Sequence, residues 1–345
     1  RQLFVNGRRA QRARWPNANA TPAYVRLKEA SLDPDRSLYT VSLDPSEVAL
    51  WGNIEDVEIV ICGNWEITRK KLEAVDPDSG VIILAPPHAG GHPNIRPAPG
   101  RFTFIENARE FLDQPGEWYL DRTRGVMTYW PRPDDVLAES IFTVPRLTQL
   151  MDVRGRADVP VRNLHFRGLH WRYVDWAFPA YGFNGIQASY QTFPKEGQKD
   201  WDWVPWVCVD AALTWEFAED CSLQDGGLEG LGGVALHLLR GCHRNMVEGN
   251  MVQDIGACGI MVGENLVGFP WKEKALPPGE LPTANRIANN LVRRCGLDDY
   301  GAVGIWVSFT DGTEVAHNLV YDLPYSGISV GWMWGETPTA NRNNL

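Results

Sequence analysis

The side chains that could do chemistry fall at matched places in a repeat. Asn245–Asp254 leads on to Gly259–Gly263, Thr313–Asp322 leads on to Gly327–Gly331, and Asn285–Arg294 reaches Gly304–Ser308 after five additional residues. With the segments aligned, the fourth residue after Asn250, Asn290 and Asn318 is Asp254, Arg294 and Asp322, and a looser earlier segment through Cys221 supplies Asp225. The expansion adds Asp299, which stands before Gly304 as Asp254 and Asp322 stand before Gly259 and Gly327, so either Arg294 or Asp299 takes the column. Stacked strands repeat at about 4.8 Å, placing such carboxylates about 5 or about 10 Å apart. Hydrolysis of a glycosidic bond needs two carboxyl groups at roughly 5 Å for retention or roughly 6.5–9.5 Å for inversion. Asp254, Asp299 and Asp322 are therefore the candidates for general acid and base or nucleophile. Like charges stacked this closely raise at least one pKa, which keeps one group protonated, whereas Arg294 between them would hold its neighbours ionised. The plainer alternative is that the aspartates cap β-turns.

Aromatic residues follow the same face. Trp306, Tyr325, Trp332 and Trp334 come just after the acids, in a chain with 15 Trp. An indole presents the flat apolar surface that a pyranose ring stacks on, though it also fills cores. With Asp225 and Arg294 they form the expected substrate-binding set. Glu264 opens the insertion that runs to Pro282 and is the further candidate for a second carboxylate.

The repeat sets the elements that must position these groups. Short alternating runs separated by turns, with 23 residues from Gly304 to Gly327, fit rungs of a parallel β-helix over residues 151–345, each burying its Val/Ile row. Asn250, Asn290 and Asn318 should stack as a ladder of side-chain amides bonded to the rungs above and below. Thr339–Arg342 repeats Thr283–Arg286, so the chain reads as a solenoid interrupted at its C-terminal side. Residues 1–150 read as a β-rich region: Leu3–Val5 with an Asn6-Gly7 turn, strands at Val57–Cys62 and Val81–Leu84, a short helix at Asn107–Leu112, and a hairpin from Glu117–Leu120 to Val126–Trp130. The loop over residues 86–100 carries His88 and His92, read as solvated.

Composition narrows the classes. The 345 residues hold 33 basic and 43 acidic side chains, a net charge of −10, which argues against a nucleic-acid partner. No apolar run approaches the roughly 20 residues of a membrane span. Six cysteines form no CxxC pair and no zinc-like spacing, so they read as buried free thiols and no metal or other cofactor is expected. The expected partner is carbohydrate, and a monomer is expected.

The run Asp322–Trp332, with Gly304–Val307 upstream, the opening Gln2–Gly7 with Arg14–Pro16, and the stretches Gly116–Asp121 and Tyr129–Pro131, resembles the right-handed parallel β-helix glycoside hydrolases, most of all glycoside hydrolase family 141. The resemblance implies a secreted or periplasmic bacterial enzyme acting on plant cell-wall polysaccharide or oligosaccharide, fucosidase- or xylanase-like, with paired aspartates. Two alternatives stay open. One is a polysaccharide lyase or epimerase in which the aspartates bind Ca²⁺ and Arg294 abstracts a proton; the other is a non-catalytic glycan-binding solenoid.

Overall fold

The computed structural model describes residues 2–33, 38–86, 97–179, 182–192, 206–264, 279–332 and 342–344. The chain divides into two compact units, Arg1–Val144 with Ala177–Ile186 and Thr192–Val204, and Pro145–Trp176 with Gln187–Gln191 and Pro205–Leu345.

The first unit is antiparallel. Strands Glu29–Asp33, Leu38–Ser42, Val81–Leu84, Ile67–Asp76, Glu58–Cys62 and Phe102–Glu106 neighbour one another in that order. Alternation places Val41, Ile59, Ile61, Leu72, Ile82 and Ile105 in one core. Asn6 and Gly7 both take positive φ, as a tight two-residue hairpin turn requires, and join Phe4–Val5 to Arg8–Arg9. The expected hairpin is present as Glu117–Asp121 against Val126–Tyr129. The expected helix at Asn107–Leu112 is only one 3₁₀ turn, Arg109–Phe111. A buried ion cluster lies beside this sheet: Arg12 reaches Glu58 at 3.1 Å and Glu106 at 2.7 Å, and Arg69 also pairs with Glu106.

The second unit is built on three parallel sheets that the chain visits in rotation, with a short parallel pair, Val161–Arg162 against Ala218–Glu219, before the second of them. Sheet 1 stacks Met151–Arg154, Ala211–Glu216, Val234–Leu238, Ile260–Val262, Val303–Ser308 and Ser326–Gly331. Sheet 2 stacks His165–Arg167, Ser222–Gln224, Met246–Glu248, Arg286–Ala288, Asp311–Ala316 and Arg342–Asn344. Sheet 3 stacks His170–Val174, Gly227–Leu231, Met251–Ile255, Leu291–Cys295 and Leu319–Tyr321. One rung follows another, a β-helix-like arrangement. Inward rows such as Leu236–Ile260–Ile305 and Val247–Ile287–Val315 fill a single core, each side chain stabilising the fold by about 1.5–3 kcal/mol on full burial.

Two asparagine ladders fasten the corner between sheets 2 and 3 and the entry to sheet 2. Asn318 Oδ1 accepts the backbone N–H of Asn290, Asn290 Oδ1 that of Asn250, and Asn250 Oδ1 that of Gly226, all at 2.9–3.0 Å. Each amide nitrogen donates to a carbonyl one rung away, Asn250 to Leu223 and Asn290 to Val247. A second ladder, Asn285 to Asn245 to Cys221, repeats the device one turn earlier.

Candidate active site

The aspartate column resolves into a corner of sheet 3. Gly230, Asp254, Arg294 and Asp322 occupy equivalent places on successive rungs, between pairs such as Gln253↔Arg293 and Ile255↔Cys295, and Tyr173 precedes them. All five have left-handed backbone, with φ from 50° to 65°. Asp and Gly tolerate that conformation best, which accounts for the recurrence of these types. Arg294 is the column member between the two acids: its guanidinium lies 3.4 Å from Asp254 Oδ1, and its backbone N–H donates to the Asp322 carbonyl.

Of the two candidates for the column the structure places Arg294 there, and the expected place of Asp225 is corrected. Asp299 is not in the column; it is fully buried in the inserted turn, where Oδ1 accepts the Gly301 N–H and its own N–H donates to the Gly256 carbonyl. Asp225 belongs to the preceding corner, aligned with Gly249 and Asn289, because Cys221 pairs with the Asn245 position and not with Asn250. It is exposed there and pairs with Arg167 at 2.9 Å.

The aromatic expectation also changes. Trp306 points outward from sheet 1 but is covered, its ring 5.6 Å from Tyr190 and 5.3 Å from Trp332, and both Trp306 and Trp332 are buried. They pack against Tyr190 and each other and are not open platforms. Tyr325 is exposed, its hydroxyl accepting from Gln187 Nε2 at 2.5 Å. Trp334, His88 and His92 lie outside the described residues.

A cavity of about 500 Å³ lies over the outward face of sheet 1 in the second unit, lined among others by Gln149, Tyr190, Trp206, Cys208, Asp210, His237 and Glu264. Glu264 is brought there by Gly263, whose φ of +91° turns the chain off the sheet; a Cβ at that position would fall 1.7 Å from the Ser308 carbonyl oxygen, so only glycine fits. Burial pushes the Glu264 carboxyl up; Arg240 opposes this and Glu216 adds to it. Arg240 stands between the two acids, its Nε 3.2 Å from Glu264 and 3.3 Å from Glu216, and Arg154 flanks Glu216 at 3.4 Å.

Asp210 enters from the segment just before Ala211–Glu216, where the Val234 N–H fixes its carbonyl at 3.1 Å. Beside it the Cys208 thiol is pushed well up, chiefly by burial, then by Cys258 and the carboxylates of Asp210, Asp299 and Glu264. A carboxyl raised by burial, Glu264, and a second carboxylate, Asp210, line the same cavity with half-buried Trp206, which are the residue types that acid-assisted cleavage of an acetal uses. Sequence reasoning marked Glu264 but missed Asp210, Glu216 and Arg240. The insertion before Ala211 breaks the repeat, and Glu216 at the end of its strand and Arg240 in the turn after Val234–Leu238 sit where the rungs carry no shared motif.

The three-sheet fold is that of a solved structure titled "Glycoside hydrolase", which matches 99% of this chain with a TM-score of 0.86 and 24% identity. The chain spans 61% of that protein's length. Residues 1–132 match the family model described as the GH141 insertion domain, so the likeness carried by Gln2–Gly7 and Gly116–Asp121 has a counterpart in a whole-segment match. No curated protein matches the chain. Among the described residues, no helix is long and apolar enough to cross a membrane.

Proposed function

We propose that the chain acts as a glycoside hydrolase of the right-handed parallel β-helix type, with Glu264 as general acid and Asp210 as its carboxylate partner. The observation that carries this reading is the raised carboxyl of Glu264 in a cavity shared with Asp210. The similarity to the GH141 insertion domain over residues 1–132 supports the reaction class. A cavity of about 500 Å³ suits one or two sugar residues at a chain end. The substrate class we infer is plant cell-wall polysaccharide or oligosaccharide, with fucosidase- or xylanase-like activity and a secreted or periplasmic setting.

The test is turnover on a panel of aryl glycosides and xylo-oligosaccharides. Glu264→Gln and Asp210→Asn should each lower kcat/KM by about 10²–10⁴-fold on the substrate that wild type cleaves. Full activity in both would overturn the assignment. Asp254 and Asp322 are the second candidate pair. They stand two strand spacings apart, about 10 Å between backbones, with Arg294 between them, close to the separation that inversion uses. Loss of activity in Asp254→Ala and Asp322→Ala, with Glu264→Gln unaffected, would select that pair.

A further inference from the structure

We infer that Cys208, His237 and Met261 form a binding site for a soft monovalent metal ion, copper(I), at the floor of the cavity over sheet 1. Cys208 Sγ lies 3.9 Å from His237 Nδ1 and 3.8 Å from Met261 Sδ. His237 and Met261 occupy paired outward positions on neighbouring strands, so parallel pairing brings the imidazole and the thioether side by side. Two donors 3.8–3.9 Å apart can share an ion about 2.2 Å from each, within the range of first-row metal bonds to sulfur and nitrogen, and Cys208 stands at that distance from both of the others.

The donor atoms are ready for an ion. His237 Nε2 is engaged with the Gly263 carbonyl at 2.7 Å, so it carries the ring proton and Nδ1 presents its lone pair toward the sulfurs. Met261 is fully buried and His237 nearly so, while Cys208 and His237 both line the cavity, which supplies the entry path. One thiol hydrogen can serve only one of the two acceptors that Cys208 touches.

The chemistry selects the ion. No three His, Cys, Asp or Glu side chains converge among the described residues; the third donor here is a thioether, which favours copper(I) over zinc, calcium or magnesium. Binding forms the Cu–S bond as the thiol proton leaves to solvent, and Cu⁺ with one thiolate is neutral, so no net charge is buried. The site does not depend on the hydrolase reading.

The experiment is anaerobic titration of the full chain with copper(I) in competition with a chromogenic copper(I) chelator, followed also by thiolate-to-copper absorption in the near ultraviolet. One copper(I) per chain is expected. Cys208→Ser should weaken binding by more than about 100-fold and remove the absorption band, and Met261→Leu, which conserves volume and so keeps the fold, by about tenfold or more. No competition by wild type, or equal binding by both variants, which would place copper on another of the six cysteines, would overturn the proposal. So would tighter retention of zinc(II) than of copper(I).

Discussion

Removing one amide from the longer asparagine ladder tests how the rungs are held together. In Asn250→Ala, the buried Gly226 N–H loses its acceptor at 3.0 Å and the Leu223 carbonyl loses a donor at 2.8 Å. Asn290 Oδ1 loses a donor at 3.1 Å but keeps the Asn250 backbone N–H at 2.9 Å. Each buried polar group left without a partner costs about 1–3 kcal/mol, so the two stranded backbone groups predict a loss of about 3–5 kcal/mol. That is a large share of the roughly 5–15 kcal/mol that holds an ordinary domain folded. Asn318→Ala removes the same contacts on a half-buried rung, where water replaces part of them, and should cost about 1–2 kcal/mol. Asn250→Asp keeps the acceptor for Gly226 but turns an oxygen toward the Leu223 carbonyl. It should be at least as costly as alanine at neutral pH and recover on acidification, as its raised carboxyl takes up a proton. Urea unfolding followed by far-ultraviolet circular dichroism gives the midpoints and slopes. A loss below about 1 kcal/mol in Asn250→Ala, or equal losses at 250 and 318, would refute the account of the ladder as a buried, cooperative tie.

If Glu264 is the acid, kcat/KM should fall on the alkaline side above the ordinary glutamate pKa of about 4.3, because burial raises it. Glu216→Gln removes a charge that pushes in the same direction and should move that limb to lower pH; an unmoved profile would exclude the coupling. His237, held neutral with a pKa lowered to about 4 by burial, binds its proton more weakly folded than unfolded. Stability should therefore drain away as pH falls from about 6.5 to about 4, by up to about 3 kcal/mol, and His237→Gln should flatten that slope in urea titrations across the range. In the first unit, Glu106→Gln leaves Arg12 and Arg69 sharing Glu58 in a buried site, and should cost about 3–5 kcal/mol by chemical denaturation. A loss under 1 kcal/mol there would mean that water reaches the cluster.

The repeat made the rungs legible because Asn250, Asn290 and Asn318 must recur wherever a buried amide bonds its neighbours, and the structure stacks them so. The entry rung was misaligned for the same reason. Its ladder positions hold Cys221 and Gly226, which accept the device without announcing it, and Asp225 slid one corner too far. Trp306 looked like a surface aromatic because it alternates outward; the segment carrying Tyr190, which covers it, follows no period. Asp210 and Cys208 were hidden similarly, since what places them is an excursion of the chain and not a repeat.

The left-handed corner shared by Tyr173, Gly230, Asp254, Arg294 and Asp322 separates shape from content. One backbone bend is reused at each rung with an aromatic, a glycine, two acids and a base, so the scaffold tolerates different side chains at these places. The corner thus works as a row of interchangeable slots at a fixed pitch of about 4.8 Å, on which a surface charge pattern can be rewritten without disturbing the core beneath it.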